Sequence, residues 1–524
     1  MSRIVVWPLY ASRTIASSGM PRLSLSPYTY VCADSVYISP SRLPGLNDTP
    51  HLHPFFSASP TIILHKTSLL LIAMSISRPR SHRPAPRRTP ENNFPTQVSS
   101  ITPAVDPPLP VKILASKNVV AEYSLGKFRL YRFPTNHLQG HIPISTWDIT
   151  VTDDFGSADI DATQSLFAWV EYDYRSTQGE APRRGMKVHM VDLTNGGPHQ
   201  LAYEPRPFSR TMPYAGIPIF SRLVIAGDFI AVGTAYSRGG GTNHISPLIV
   251  FNWKTGDLVL AVNESWLFDF CFLDDRHILL YSVNLGQANR QDALLVYKLG
   301  ARVTQAYAFL MPKTTFAKSV HPILKSSFNR PSSPDALIGV HVCHGTLTRR
   351  GMEVEGSIDI LFRASSLKER IAACAQPRRF AWAEWGPSDT QTTKVAYRNP
   401  EVDSNFLTGM RAIDLVKGAD NKMCLSIRDF DRDRIAQARL RGGNSLLEGV
   451  VVESCTIGAG VWNEGAMVTT RLPFVHRLVP LTNEKLRNIN ENYSWTVTED
   501  VIILYDALES KRHIRVLQHA SNPQ

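Results

Sequence analysis

Phe268–Leu273 (FDFCFL), the turn Asp274-Asp275-Arg276, and His277–Val283 (HILLYSV) place two apolar runs back to back. A third run, Ala293–Leu299 (ALLVYKL), begins sixteen residues after His277. Each run is shorter than an ordinary helix and over-uses Ile, Leu, Val, Phe and Tyr, which predicts strands joined by tight turns. The same figure recurs on both sides. Leu166–Tyr172 (LFAWVEY) is followed by Met186–Leu193, and Phe229–Tyr236 (FIAVGTAY) by Pro247–Trp253 (PLIVFNW). Ala336–His344 (ALIGVHVCH) is followed by Gly356–Ala364. The intervening residues are turn formers: Asn195-Gly196-Gly197, Gly227-Asp228 and Lys254-Thr255-Gly256-Asp257.

The second strands start at 166, 229, 277 and 336, spacings of 63, 48 and 59 residues with a mean of about 57. At that spacing the 413 residues from 112 to 524 hold about seven units. A fourth strand is predicted at Gln200–Tyr203 and at Leu258–Val262, so each unit has the strand count of a propeller blade. The fold expected is all-β, a degenerate β-propeller over 111–524, with radial stacking of blades supplying the core. Val119–Tyr123 with Lys127–Phe133 fills an earlier blade. Phe380–Trp385, Lys394–Tyr397 and Leu407–Leu415 are grouped as a later one, Gly449–Ser454 and Ala466–Leu472 as a less regular one, and Tyr493–Leu508 closes the series. Helical text is expected only at Leu367–Ala375 and Asn483–Ile489.

Residues 1–110 differ in kind. They are rich in Ser, Pro and Arg without periodicity and read as disordered, and residues 1–73 read as text outside the genuine coding sequence, because Met74 opens a new composition. The run Thr61–Ala73 contains His65 and Lys66 and is too short to span a bilayer, so no membrane association is expected. Pro8 and Pro21 interrupt any amphipathic targeting helix, which points away from organelles and toward the cytoplasm or nucleus. The net charge of +11 is also uneven. Residues 1–125 carry 12 Lys/Arg against 5 Asp/Glu, leaving 44 against 40 for the rest. A nucleic-acid footprint would have to come from the basic cluster Arg78, Arg80, Arg83, Arg87 and Arg88, which a solvated linker or an import signal explains as well. The six cysteines are scattered without a C-x-x-C pair, as in a reduced protein.

Phe251-Asn-Trp-Lys-Thr-Gly-Asp-Leu258 resembles the third-to-fourth strand junction of WD-repeat propellers, and Phe270–Tyr281 resembles their first-to-second junction. Trp147-Asp148 stands seven residues after Gly140-His141, closer than that repeat requires. Together with GDFIAV from Gly227 and LPFVHRLVPL from Leu472, these stretches resemble the C-terminal domains of fungal F-box-type proteins over roughly 112–524. The resemblance implies a propeller-like domain that holds a substrate for ubiquitination, and a Skp-type adaptor as partner. The helical F-box itself is not recognisable. Pro108–Leu114 resembles its opening, but strand text follows from Ala115.

Catalytic chemistry is not legible. There is no G-x-S-x-G, H-E-x-x-H or phosphate loop, and Gly239-Gly240-Gly241 lacks a following Lys. Asp429, Asp431 and Asp433 alternate as in a calcium loop, but Arg434 stands where the turn glycine belongs and Leu440 where the closing Glu belongs. His341, Cys343 and His344 cannot all face one zinc ion from a strand. Trp169, Trp253, Trp266, Trp382, Trp385, Trp462 and Trp495 read as core. The expectation is a monomeric, non-catalytic protein-interaction scaffold with no cofactor and no metal. The alternatives are an enzyme whose site lies in the central channel, or a nucleic-acid-associated protein acting through Arg78–Arg88.

Overall fold

The computed structural model describes residues 95–101 and 113–519, apart from position 125 and the stretches 134–144, 152–154, 174–183, 204–206, 213–216, 238–243, 265–266, 284–290, 301–305, 313–318, 327–334, 396–405, 419–421, 443–448, 458–466, 482–492, 499–500 and 507–513, and residues 349–350. The described residues fall in one compact unit.

Seven sheets of four or five strands follow one another along the chain. The first blade is Ile113–Ser116, Val119–Ser124, Lys127–Arg132 and Ser145–Thr150; the second is Phe155–Asp161, Leu166–Asp173, Arg184–Asp192 and Phe208–Met212. Ile217–Ala226, Phe229–Ser237, His244–Asn252 and Leu258–Glu264 form the third. Leu267–Phe272, His277–Ser282, Ala293–Lys298 and Tyr307–Leu310 form the fourth, and Ser319–Ser326, Leu337–Thr348, Gly351–Arg363 and Thr390–Val395 the fifth. The sixth comprises Leu407–Thr408, Arg411–Lys417, Met423–Asp429 and Phe474–Pro480. The seventh is Tyr493–Val497, Val501–Asp506 and Ile514–His519, completed by Pro95–Ile101 from the other end of the chain. The fold is a β-propeller.

The central strands are buried on both faces by neighbouring blades, so Leu166 to Val170 and Ile278 to Tyr281 are apolar without alternation. Polar ties fix each blade to the next. Ser116 Oγ accepts from Ala162 N, Ser157 Oγ from Leu223 N and Asp159 Oδ2 from Ile225 N, while Arg222 pairs with Asp269. Trp385 Nε1 donates to the Leu310 carbonyl, Trp495 Nε1 to that of Ile413, and Thr498 Oγ1 to that of Lys117, closing the circle from seventh blade to first.

Several expectations are corrected here. Pro95–Ile101 is a propeller strand, so the domain reaches back past residue 111 into text read as disordered; its partner is more than 400 residues away in sequence, beyond the reach of local pattern. Gln200–Tyr203 is a turn, and the second blade's fourth strand is Phe208–Met212. The reason is local: His199 takes up the nearby amides, with Leu201 N donating to its Nδ1 and Ala202 N to its carbonyl. The grouping of Phe380–Trp385, Lys394–Tyr397 and Leu407–Leu415 also dissolves. Arg379–Phe380 lies parallel to the fourth blade's edge, Thr390–Val395 ends the fifth, and Leu407 opens the sixth. Helices α1 (Ala364–Ala372), α2 (Trp382–Asp389) and α3 (Arg432–Arg441) lie in the connections after third strands, and only α1 was expected. Residues 1–94, and the expected helix Asn483–Ile489, lie outside the described residues.

Candidate functional site

Trp253 directly follows the third strand of the third blade, fully buried, and its Nε1 donates to the Gly227 carbonyl at 3.0 Å. Gln164 Nε2 donates to the same oxygen at 2.6 Å and to Asp161 Oδ2 at 2.9 Å, while the His199 ring stands edge-on to Trp253, 4.9 Å between centroids. Asp161 also accepts from the amides of Thr163 and Gln164, which fixes the turn of the second blade. These bonds tie the second and third blades into a rigid floor on the side of the first-to-second-strand turns.

On that floor lies an apolar surface. Tyr203 N donates to the Trp253 carbonyl at 3.2 Å, and its ring covers Gly256, where an added Cβ would come within 2.6 Å of Tyr203 Cδ1. Gly256 has φ +77°, so the turn and the ring's position both require glycine. Leu201, Tyr203 and Leu258 are 58%, 63% and 47% exposed. The lysine beside them is already paired: Lys254 Nζ lies 2.6 Å from Asp228 Oδ1. Reading Gln200–Tyr203 as a strand concealed this surface; the usable signal was the pairing of Leu201 and Tyr203 with no polar residue between them.

A second constellation is buried between the fifth and sixth blades. Arg428 Nη2 donates to both Asp359 Oδ2 and Asp414 Oδ2 at 2.5 Å, and His341 Nδ1 meets Asp359 Oδ1 at 2.9 Å. Strand register explains the gathering. Asp414 lies opposite Ser426 and Arg428 opposite His476 on one face of the sixth blade, while His341 lies opposite Asp359 on the fifth. Ser426 Oγ and His476 Nε2 are 2.9 Å apart. Burial first, and Arg428 next, hold the His476 pKa below its usual value, against the pull of Asp414. Burial pushes the nearby Cys455 thiol up and so disfavours a thiolate. One guanidinium between two buried carboxylates fastens two blades; the apolar half of the same seam, Leu337, Leu361, Phe406 and Phe474, completes the joint.

The remaining sequence candidates separate. Asp431 is the N-cap of α3, accepting from the amides of Asp433 and Arg434, and Asp429 accepts from Arg411 and Arg434, so the alternating acids do not converge on a cation. His341 is turned to Asp359, and the side chains of Cys343 and His344 lie outside the described residues, as do Trp266, Trp462, Gly239–Gly241 and the cluster Arg78, Arg80, Arg83, Arg87 and Arg88. Among the described residues no group of three or more His, Cys, Asp or Glu could hold a metal ion. Trp169, Trp253, Trp385 and Trp495 are core residues, and Cys271, Cys374, Cys424 and Cys455 are not in disulfides. Among the described residues no helix is long and apolar enough to cross a membrane.

No protein-family model and no curated protein matches this chain. Solved structures similar to it include the polysaccharide lyase Uly1, at 9% identity over 79% of this chain and 91% of that one, TM-score 0.36. The β-propeller domain of the Trilobed protease from Pyrococcus furiosus matches at 8% identity over 79% and 95%, TM-score 0.35. The WD40 domain of SCAP from fission yeast matches at 9% identity over 82% and 99%, TM-score 0.33.

Proposed function

We propose that this propeller is a non-catalytic interaction module that binds another protein through the surface formed by Leu201, Tyr203 and Leu258. The observation that carries the reading is the exposure of three large apolar side chains above a floor in which Trp253, Gln164 and Asp161 are joined by hydrogen bonds across the second and third blades. Such a surface loses little conformational entropy when covered, and an exposed aromatic between two aliphatic residues suits a partner that presents apolar side chains. In the version suggested by the F-box-like sequence features, the bound protein is a ubiquitination target and a Skp-type adaptor joins elsewhere on the chain, in the cytoplasm or nucleus.

The test compares partners recovered by the full chain with those recovered by the triple variant Leu201→Ser, Tyr203→Ser, Leu258→Ser. Exposed substitutions of this kind change stability by about 0.5 kcal/mol or less each, so the variant should keep the wild-type Tm. The expected outcome is a reproducible partner that the variant loses. Recovery of the same proteins by both chains would refute the assignment of the surface, and an absent Skp adaptor would remove the ligase version alone.

A further inference from the structure

The sequence DFDRDR, which does not form a calcium loop, builds something else. Asp429 ends the third strand of the sixth blade, and Asp431 starts α3 immediately after it by accepting from the amides of Asp433 and Arg434 at 2.9 and 3.0 Å. Starting the helix there puts Arg434 and Arg441 seven residues apart, hence two turns apart on one helix face. The sheet supplies two more guanidiniums. Arg411 lies opposite Asp429, and Arg477, opposite Ile427, shares that sheet face one row on.

The charges do not balance. Asp429 Oδ2 accepts from Arg411 Nε at 2.9 Å and from Arg434 Nη1 at 3.1 Å, and its Oδ1 accepts from Asp431 N. Arg441 and Arg477 have no hydrogen-bond or ion-pair partner among the described residues. Among the described residues these four guanidiniums stand against this one carboxylate, which Arg411 and Arg434 already share. Arg477 is half-buried, and burial first, then Arg434, Arg411 and Arg441, press its pKa below the usual value against the opposing pull of Asp429. It is also held from beneath: Gly449 has φ +104°, and a Cβ there would lie 2.8 Å from Arg477 Nε. Repelling guanidiniums held close together are the arrangement that an oxyanion relieves, and a phosphate, which accepts from planar Arg donors as a carboxylate does, brings more negative charge to the excess than a singly charged carboxylate.

We infer that this end of the sixth blade binds a phosphate group, held by Arg411, Arg434, Arg441 and Arg477. The group comes either free in solution or on a phosphorylated side chain of another protein. The inference does not rest on the apolar surface described above.

The test is calorimetric titration of the full chain with inorganic phosphate, and with a serine peptide in phosphorylated and unphosphorylated form, against chloride and acetate at equal ionic strength. Saturable binding of phosphate or of the phosphopeptide, with none of acetate, is expected. Tighter binding of the phosphopeptide than of free phosphate assigns the group to a protein, and the reverse to a small molecule. Arg441→Gln, at an exposed position, should weaken binding by about tenfold, and Arg477→Gln by at least as much. In chloride both variants should melt no lower than wild type, because each removes a repelling charge. Glu448 lies outside the described residues beside Gly449, so Glu448→Gln is included and should retain binding. No saturable binding to any phosphate probe, unchanged affinity in Arg441→Gln, or binding only in Glu448→Gln would each overturn the inference.

Discussion

His476 carries a pH dependence that can be isolated from the rest of the molecule. Its half-buried ring lies 2.9 Å from Ser426 Oγ and close to Arg428, and its pKa lies below the ordinary value near 6.5. The unfolded chain therefore binds that proton more readily than the folded one. Stability contributed by the neutral ring is complete above the unfolded pKa and is lost as pH falls through about 6.5 toward the folded value. Melting at about pH 7.5 and about pH 5.5 should show a larger fall for the wild type than for His476→Asn, which keeps a hydrogen-bonding group but does not titrate. Equal falls in the two proteins would refute it. The Asp359–Arg428–Asp414 contacts belong to the same seam and are common to both proteins, so the difference between the two reports on the imidazole.

At the scale of elements, one packing device recurs between blades. Gly233, in the second strand of the third blade, lies under Phe270 of the fourth, where an added Cβ would stand 2.4 Å from Phe270 Cε1. Gly339 of the fifth blade lies under Phe406 at the entry to the sixth, at 2.8 Å from Cζ. In both places a missing side chain admits an aromatic from the next blade. Gly233→Ala should cost about 1–3 kcal/mol by displacing Phe270, read as a lower denaturation midpoint, and Gly233→Ala with Phe270→Leu should recover part of the loss. No recovery in the double variant would show that the glycine serves the strand rather than the ring. The second and third strands of the blades were legible because burial on both faces makes them continuous apolar runs. Helices α2 and α3 were not legible, for physical reasons. Helix α3 buries only Ile435, so it has no apolar stripe, and its capping acid belongs to an alternation that imitates a metal loop. Helix α2 contains Gly386 and Pro387 and is held by tertiary contacts of Trp385, which donates to Leu310 and packs edge-on against Phe309 and Phe362. The candidate surface suffered similarly, since Leu201 and Tyr203 are apolar text whose exposure depends on the turn made by His199.

For the whole molecule, the decisive join is the least local one. Blade count followed from spacing, but closure depends on Pro95–Ile101 pairing antiparallel with Ile514–His519, from Ile101 opposite Ile514 to Pro95 opposite His519. A strand from far upstream completes the four-strand count of the last blade and covers the edge of Ile514–His519, and it makes the first and seventh blades cooperate through the strand and through Thr498 Oγ1 on the Lys117 carbonyl. A chain beginning at Asn93 keeps the strand; one beginning at Thr102 loses it and bares the edge of Ile514–His519. At about 0.5–1.5 kcal/mol for each backbone hydrogen bond lost, the shorter chain should be less stable by several kcal/mol. Its amides at 514–519 should exchange fastest, those of the neighbouring Val501–Asp506 next, and those of the third and fourth blades last, because the opening starts at the join and must work around the ring. Equal melting temperatures and equal protection at 514–519 in the two chains would mean that the other six blades hold the ring closed without the strand.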